Sequence, residues 1–239
     1  MVEKSLFGTL ADGTQIDLYK ITNKSGAYVT LQNLGAGIQS IYVPDKNGVL
    51  ADVVLGFDNP QDYTNPDYGY QGLVVGRWAN RIRDAKFVFN GEEYHTPVNQ
   101  GRWTLHSGGR FSFNPWEVEQ TGDNFVEFKR FSSDMEDGFG GNFTMWVKYT
   151  FTDDNVLRLE YKVLSDKDTV CNPTNHSYFN LSGKADELID THYLQINANY
   201  FTETDDDQLP TGELGELKGT MMDFSQMHTI GEHINEPFR

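Results

Sequence analysis

Cysteine is almost absent from this sequence, and so is any long run of apolar residues. Cys171 is the single cysteine among 239 residues, so no disulfide can form within the chain, and a reducing compartment is favoured. The apolar runs, such as residues 73–75, are far too short to span a bilayer, and no export signal opens the chain. We therefore expect a cytoplasmic protein with no membrane partner.

Positive charge is also scarce. The sequence has 19 Lys and Arg against 35 Asp and Glu, which gives a formal net charge of −16. A phosphate polyanion needs clustered cations, so we expect no nucleic-acid partner. Hydrophobic residues make up 38% of the chain and aromatic residues 13%, which is enough to build a core and argues against intrinsic disorder.

Helical periodicity is rare, and the dominant hydrophobic period is two. Residues 143–151 and 156–164 both alternate around a turn at residues 153–155, which predicts a β-hairpin. A second hairpin is predicted at residues 87–94, because Asn90 and Gly91 can supply the positive φ angles of a tight turn. Ten or more such strands, with a helix considered only at residues 183–189, predict a large antiparallel β-sandwich. No repeat or linker divides the chain, so we expect a single domain over residues 1–239.

Metal binding is not predicted. The six histidines include no His-Glu-x-x-His pair, and one cysteine cannot make a thiolate site. The acidic run at residues 203–207 lacks the spacing of a calcium loop. It lies in residues 202–213, which we interpret as a turn-rich, solvated loop between strands.

Two segments carry polar residues within otherwise apolar patterns. If residues 76–83 form a strand, Arg77, Arg81 and Arg83 share one side and Asn80 points the other way. Arginine and asparagine suit a polyhydroxylated ligand, although a surface strand with scattered cations remains the alternative. In residues 103–109, His106 precedes two glycines that allow a ligand to approach closely. The alternative there is a buried histidine bonded to a main-chain carbonyl.

The most informative segment is residues 171–181, Cys-Asn-Pro-Thr-Asn-His-Ser-Tyr-Phe-Asn-Leu. In an extended conformation, Thr174, His176, Tyr178 and Asn180 line one face. A histidine flanked by an amide and a phenol is suited to proton transfer near neutral pH. No Gly-x-Ser-x-Gly elbow is present, so a serine nucleophile is not indicated.

Taken in order, these motifs resemble the aldose 1-epimerases, or galactose mutarotases. The resemblance rests on Gly-Arg-Trp-Ala-Asn-Arg-Ile at 76–82, Leu-His-Ser-Gly-Gly at 105–109, Asn-Pro-Thr-Asn-His-Ser-Tyr-Phe-Asn-Leu at 172–181, Leu-Pro-Thr-Gly-Glu at 209–213 and Gly-Thr-Met-Met-Asp-Phe at 219–224. It implies a β-sandwich of the galactose mutarotase type. It also implies His176 as the general acid and Asn80, Arg81, His106 and Tyr178 as substrate-binding residues. The implied substrate is a free monosaccharide such as galactose or glucose, with no cofactor and no metal, and we expect a monomer or homodimer.

The sequence also departs from the family pattern. Ser107 is inserted before Gly108, and residues 137–141 read Asp-Gly-Phe-Gly-Gly where the family has Asp-Gly-aromatic-Pro-Gly. The resemblance places the general base beyond Arg239, so we expect residues 1–239 to be the N-terminal part of a longer domain, to lack its C-terminal strands and to be catalytically silent alone. A non-catalytic sugar-binding module and a hexose-6-phosphate 1-epimerase remain alternatives. The latter needs a cationic pocket, for which Arg77 and Arg83 are the candidates.

Overall fold

The computed structural model describes residues 1–235 and divides the chain into two compact units, Met1–Phe179 and a second unit that begins at Asn180. Residues 236–239, beyond which the resemblance places the general base, lie outside the described residues. A single domain over residues 1–239 stays a prediction. Across the described residues, no helix is both long enough and apolar enough to cross a membrane.

The first unit begins with an antiparallel sheet whose strands follow one another in chain order. Its strands are β1 (Val2–Thr9), β2 (Gln15–Thr22), β3 (Tyr28–Gln32), β4 (Gly37–Pro44) and β5 (Leu50–Asp52). The alternation in residues 27–34 places Ala27, Val29 and Leu31 on a fully buried face.

A second antiparallel sheet of the same unit also keeps chain order. Its strands are β11 (Glu117–Thr121), β12 (Phe125–Ser132), β13 (Phe143–Phe151) and β14 (Leu157–Ser165). The predicted hairpin at residues 143–164 is confirmed, because β13 pairs with β14 without a bulge from Phe143↔Ser165 to Phe151↔Leu157. Burial alternates at every residue of β13, as the period-two pattern predicts.

The core of this unit lies between the two sheets. Tyr19 of β2 packs edge-to-face on Phe128 of β12, with ring centroids 5.9 Å apart. The Tyr149 hydroxyl of β13 donates a 2.6 Å hydrogen bond to the Ala36 carbonyl, and complete burial raises the pKa of this phenol well above its usual value. The predicted all-β sandwich is therefore confirmed.

Shorter elements of the first unit carry the polar motifs. They are β6 (Val74–Val75), β7 (Arg81–Ile82), β8 (Lys86–Phe89), β9 (Glu92–His95), β10 (Thr104–Leu105), α1 (Arg110–Phe113) and β15 (Thr174–Asn175). β15 pairs with β6, and β10 pairs with β7. β8 and β9 form the second predicted hairpin, with φ angles of 51° at Asn90 and 83° at Gly91.

The second unit contains β16 (Tyr193–Leu194), β17 (Tyr200–Thr204), β18 (Pro210–Glu216) and β19 (His228–Thr229). The loop predicted over residues 202–213 is wrong, because β17 and β18 form a hairpin there. Its connection holds residues 205–207, whereas Glu203 lies in β17. Leu209 and Leu217, which flank β18, are buried, and their burial favours the paired strands over a solvated loop.

The helix considered at residues 183–189 is also wrong, because the structure has turns there. The Asn180 side chain explains the difference. Its Nδ2 donates to the carbonyls of Lys184 and Glu187, and its Oδ1 accepts from the amide and hydroxyl of Ser182. These bonds offer the main chain an alternative to a helix.

Candidate functional site

A cavity of about 680 Å³ opens in the first unit, and His176, Asn80, Arg81, His106 and Tyr178, the residues that the family resemblance implies for the site, all line it. Polar and aromatic side chains dominate its wall. The lining residues are Pro66, Gly69, Tyr70, Ala79, Asn80, Arg81, Leu105, His106, Asn172, Pro173, Thr174, His176 and Tyr178.

His176 is held by the main chain at the end of the β15–β6 pair. Its amide donates to the Leu73 carbonyl at 2.9 Å, and its carbonyl accepts from the Gly72 amide at 3.0 Å. Thr174 and Tyr178 also line the cavity, as the strand alternation predicts. Asn175 faces away, where its Nδ2 donates to the Gly72 carbonyl at 2.8 Å and helps to fix this segment.

Asn180, predicted on the same face, does not line the cavity. It is 5% exposed and belongs to the second unit, where its side chain bonds the turn carbonyls described above. The extended conformation predicted through residue 180 is therefore wrong at its end, because side-chain to main-chain bonds turn the chain there.

Asn80 and Arg81 reach the cavity through a turn. Residues 76–83 do not form the continuous strand considered from the sequence, because only Arg81 and Ile82 form a strand there and Asn80 has a φ of 67°. Asparagine tolerates this left-handed conformation better than most residues. The turn brings Asn80 and Arg81 to the same cavity, although strand alternation would place them on opposite faces.

Arg81 is held by polar neighbours. Its Nε donates to Gln100 Oε1 at 2.8 Å, and its Nη1 donates to Asn80 Oδ1 at 3.3 Å. Because a guanidinium has five N–H donors, these contacts leave donors that can bind hydroxyl oxygens of a ligand.

His106 is buried, and its hydrogen bond fixes its tautomer. Its Nδ1 accepts from the Asn80 amide at 2.9 Å, whereas the structural alternative expected a carbonyl partner. Burial, together with nearby His176 and Arg81, lowers the pKa of His106 to about 4. The ring is therefore neutral near pH 7, and its proton lies on Nε2, which makes Nε2 a hydrogen-bond donor.

Aromatic rings surround His176. Its ring centroid lies 5.3 Å from that of His106, at an interplanar angle of 86°, and 5.0 Å from that of Tyr178. Tyr70 was not singled out from the sequence, yet it packs against His106 at 4.7 Å and against Phe113 at 4.7 Å. Burial raises the pKa of Tyr70 to about 12, so its hydroxyl stays protonated.

The only sequence signal for Tyr70 is a pair of flanking glycines. Gly69 and Gly72 have φ angles of 85° and 68°. A Cβ at Gly72 would lie 2.0 Å from the Ile38 carbonyl oxygen, so the chain requires glycine there to bring Tyr70 to the cavity wall.

Arg77 does not line the cavity, and its predicted position beside Arg81 is wrong. It is 1% exposed, and its guanidinium donates to Ser132 Oγ at 2.8 Å and to the Gly141 carbonyl at 3.0 Å. Further bonds reach the carbonyls of Ser132, Ser133, Phe139 and Gly140. Arg77 therefore organises a loop and cannot serve a phosphate in the cavity.

Ser107 fixes the turn that carries His106. Its hydroxyl accepts from the Trp78 amide at 2.9 Å and donates to the Trp78 carbonyl at 3.1 Å. The serine that departs from the family pattern thus joins residues 76–83 to the turn His106–Gly109.

The cavity wall offers proton-donating and hydroxyl-binding groups but no carboxylate among the described residues. Histidine, guanidinium, amide and phenol groups can together recognise an uncharged ligand rich in hydroxyls. No metal-binding cluster lies in this wall. The one cluster of potential ligands that the described part of the chain holds is His228, Glu232 and His233 in the second unit.

The chain is similar to known proteins over nearly its whole length. A family model described as aldose 1-epimerase matches residues 17–238. An aldose 1-epimerase of Haemophilus influenzae is 37% identical over 227 residues, which cover 94% of this chain and 65% of the relative. A galactose mutarotase of Sus scrofa is 35% identical over 98% of this chain and 68% of its own length.

The fold of the chain also matches that of a solved structure. The galactose 1-epimerase of Lactobacillus acidophilus matches with a TM-score of 0.86 and 26% identity, over 100% of this chain and 69% of that protein. The chain thus spans about two thirds of the length of the relatives that it matches.

Proposed function

Because this chain belongs to the aldose 1-epimerase family, we propose that its cavity binds a free hexose such as galactose or glucose. We further propose that a protein of the relatives' length carrying this chain interconverts the α and β anomers of that sugar. The observation that supports the proposal is the meeting of His176, Asn80, Arg81, His106 and Tyr178 in one cavity.

His176 is the proposed general acid. Anomer exchange requires the ring oxygen to gain a proton while its bond to the anomeric carbon breaks, and the anomeric hydroxyl to lose a proton to a base. The open aldehyde then rotates about the bond between its first two carbons and closes on the other face. The imidazole lies beside Tyr178 and His106 at the cavity wall, where a bound ring can approach it.

The other residues are proposed to hold the sugar. Neutral His106 donates through Nε2, and Arg81 donates through the N–H groups that Gln100 and Asn80 leave available. The Asn80 and Tyr178 side chains can each donate to and accept from hydroxyls. A charged donor orients a hydroxyl more strongly than a neutral one, which makes Arg81 the proposed anchor of the sugar.

A non-catalytic sugar-binding module is the second candidate for residues 1–239 alone. It is favoured by the cavity wall, where the described residues supply an acid but no carboxylate to take the anomeric proton. Polarimetry on fresh α-D-galactose, combined with calorimetric titration of the 239-residue chain, separates the candidates. Binding without acceleration supports the module, and acceleration in proportion to protein concentration supports an enzyme.

The role of His176 is tested in a protein of the relatives' length. His176→Ala should lower the mutarotation rate by about 10²- to 10⁴-fold, the typical effect of losing a positioned general acid. His95→Ala is the matched control, because His95 lies exposed on β9, outside the cavity. A turnover of His176→Ala equal to that of His95→Ala would remove His176 from the mechanism.

A further inference from the structure

The second unit holds a cluster of possible metal ligands that the sugar site does not use. His228 lies in β19, Glu232 is the last residue of a short 3-10 helix, Ile230–Glu232, and His233 follows that helix. His228 Nδ1 lies 3.5 Å from Glu232 Oε2, and His233 Nε2 lies 3.8 Å from Glu232 Oε1. One ligand atom from each residue can be chosen so that all lie within 4.8 Å of one another.

These separations suit a zinc ion. Zinc binds imidazole nitrogen and carboxylate oxygen at about 2.0–2.2 Å, so neighbouring ligand atoms of a tetrahedral site lie about 3.3–3.5 Å apart. The 3.5 Å between His228 Nδ1 and Glu232 Oε2 already has this value, and His233 Nε2 lies 3.8 Å from the other carboxylate oxygen, Oε1. Two histidines and one glutamate form a known ligand set for zinc, with water in the fourth position.

The surroundings of His228 fix which nitrogen can bind the ion. Its Nε2 lies 2.8 Å from the Asp223 carbonyl, and its Nδ1 lies 3.3 Å from the Thr229 carbonyl. In the neutral tautomer whose single N–H is on Nε2 and donates to the Asp223 carbonyl, the Nδ1 lone pair is available to an ion held between His228 and Glu232. Histidine ligands of metals usually donate their second nitrogen to a carbonyl or carboxylate in this way.

Packing restrains the same ring. The Phe224 ring stacks on His228 with centroids 4.3 Å apart and an interplanar angle of 12°. His228 is 18% exposed, whereas Glu232 and His233 are 52% and 34% exposed, so an ion can enter from solvent and meet one pre-oriented ligand. Pre-orientation lowers the entropy lost on binding.

We propose that His228 Nδ1, a Glu232 carboxylate oxygen and His233 Nε2 bind one Zn²⁺ ion, with water completing the site. The site differs from the sequence expectation of no metal, because the ligands follow a His-x-x-x-Glu-His spacing and not the His-Glu-x-x-His pattern. The ion would link β19 to the 3-10 helix that follows it and stabilise this part of the second unit.

Calorimetric titration of the tag-free, metal-stripped 239-residue chain with Zn²⁺ tests the proposal. We expect one ion per chain, and we expect His228→Ala and Glu232→Gln each to weaken binding by at least about 10-fold, the lower end of the loss typical when a partner of a metal ligand is changed. His95→Ala is the control, because His95 Nε2 also lies 3.0 Å from a glutamate oxygen but has no third ligand beside it within residues 1–235. Equal affinity in all three variants, or loss in His95→Ala alone, would overturn the assignment.

A measurement on the unsubstituted chain makes the test independent of how the variants fold. Zinc-edge X-ray absorption at one ion per chain should show two imidazole nitrogens and oxygen donors in the first shell. A shell of oxygen alone, or one with a single imidazole, would overturn the proposal. Neither experiment measures enzymatic activity, so a failure of the zinc proposal can be distinguished from a failure of the proposed epimerase function.

Discussion

A main-chain amide sets the chemistry of His106. By donating to Nδ1, the Asn80 amide selects the tautomer with its proton on Nε2, and burial keeps the ring uncharged. The same histidine on an exposed strand would titrate near pH 6.5 and change its hydrogen-bonding role across the physiological range. The site therefore presents a constant donor at Nε2 from neutral pH down to about pH 4.

This lowered pKa predicts a pH dependence of folding. Between about pH 6.5 and 4 the unfolded chain takes up a proton at His106 that the folded chain refuses, so stability falls as the pH falls. We expect a loss of about 2 kcal/mol between pH 7 and pH 5 from this residue. Urea unfolding at pH 7 and at pH 5 measures the loss of unfolding free energy in each protein. The loss should be larger by that amount in the unsubstituted chain than in His106→Gln. Equal losses in the two proteins would contradict it.

Arg81 gives a prediction for sugar binding. Arg81→Ala removes a charged donor from the cavity wall, which should weaken galactose binding by about 1.5–3 kcal/mol, or about 10- to 150-fold. Calorimetric titration measures the change. Arg158→Ala is the control, because Arg158 is exposed on β14 and does not line the cavity. An unchanged dissociation constant for Arg81→Ala would make Arg81 a structural residue only.

At the scale of elements, Ser107 joins two segments that carry the site. Ser107→Ala leaves the Trp78 amide and carbonyl without their partner in a buried setting, which should lower the free energy of unfolding by about 1–3 kcal/mol. Urea unfolding checks the value. Ser5→Ala on the exposed face of β1 should change it by less than about 0.5 kcal/mol. A Ser107→Ala effect no larger than this would show that the link contributes little.

The elements also show what the sequence could reveal. The hairpins β8–β9 and β13–β14 were predictable because alternation and the Asn90-Gly91 turn are local signals. The position of Arg77 was not, because its carbonyl partners lie more than fifty residues along the chain. The left-handed turn at Asn80 was missed for a similar reason, since it depends on the contact with His106.

The candidate site was predictable in its residues and not in its geometry. The motifs predicted His176, Asn80, Arg81, His106 and Tyr178, and all of them line one cavity. The pairing of β15 with β6 and of β10 with β7 brings the motifs together, and two-residue strands leave no periodic signal. The tautomer and charge of His106 follow from burial, which only the folded chain defines.

For the molecule as a whole, the edge of the second sheet predicts self-association. Within residues 1–235, β14 pairs with β13 alone and exposes Tyr161, Val163 and Leu164. An unpaired apolar edge can template pairing with another chain. Light scattering should show a mass that rises with protein concentration, and Val163→Lys should reduce the rise. Val49→Lys, at an exposed valine outside the strands, should leave it unchanged. An equal rise of mass in Val163→Lys and Val49→Lys would exclude the β14 edge as the site of self-association.

The chain order of strands in both sheets has a consequence for the time course of folding. Each sheet is a meander in which strands adjacent in the chain are also adjacent in the sheet, so each can form through contacts between residues close in sequence. The hydrogen bond from Tyr149 to Ala36 instead joins residues that are 113 positions apart, and closing so long a loop costs conformational entropy. We therefore expect this bond to form only when the two preformed sheets dock. We expect pulse-labelled amides of β2–β3 and β12–β13 to become protected in separate early phases, before Tyr149 is buried. If Tyr149 is buried at the same time as the first amides become protected, the sheets form and dock in one step.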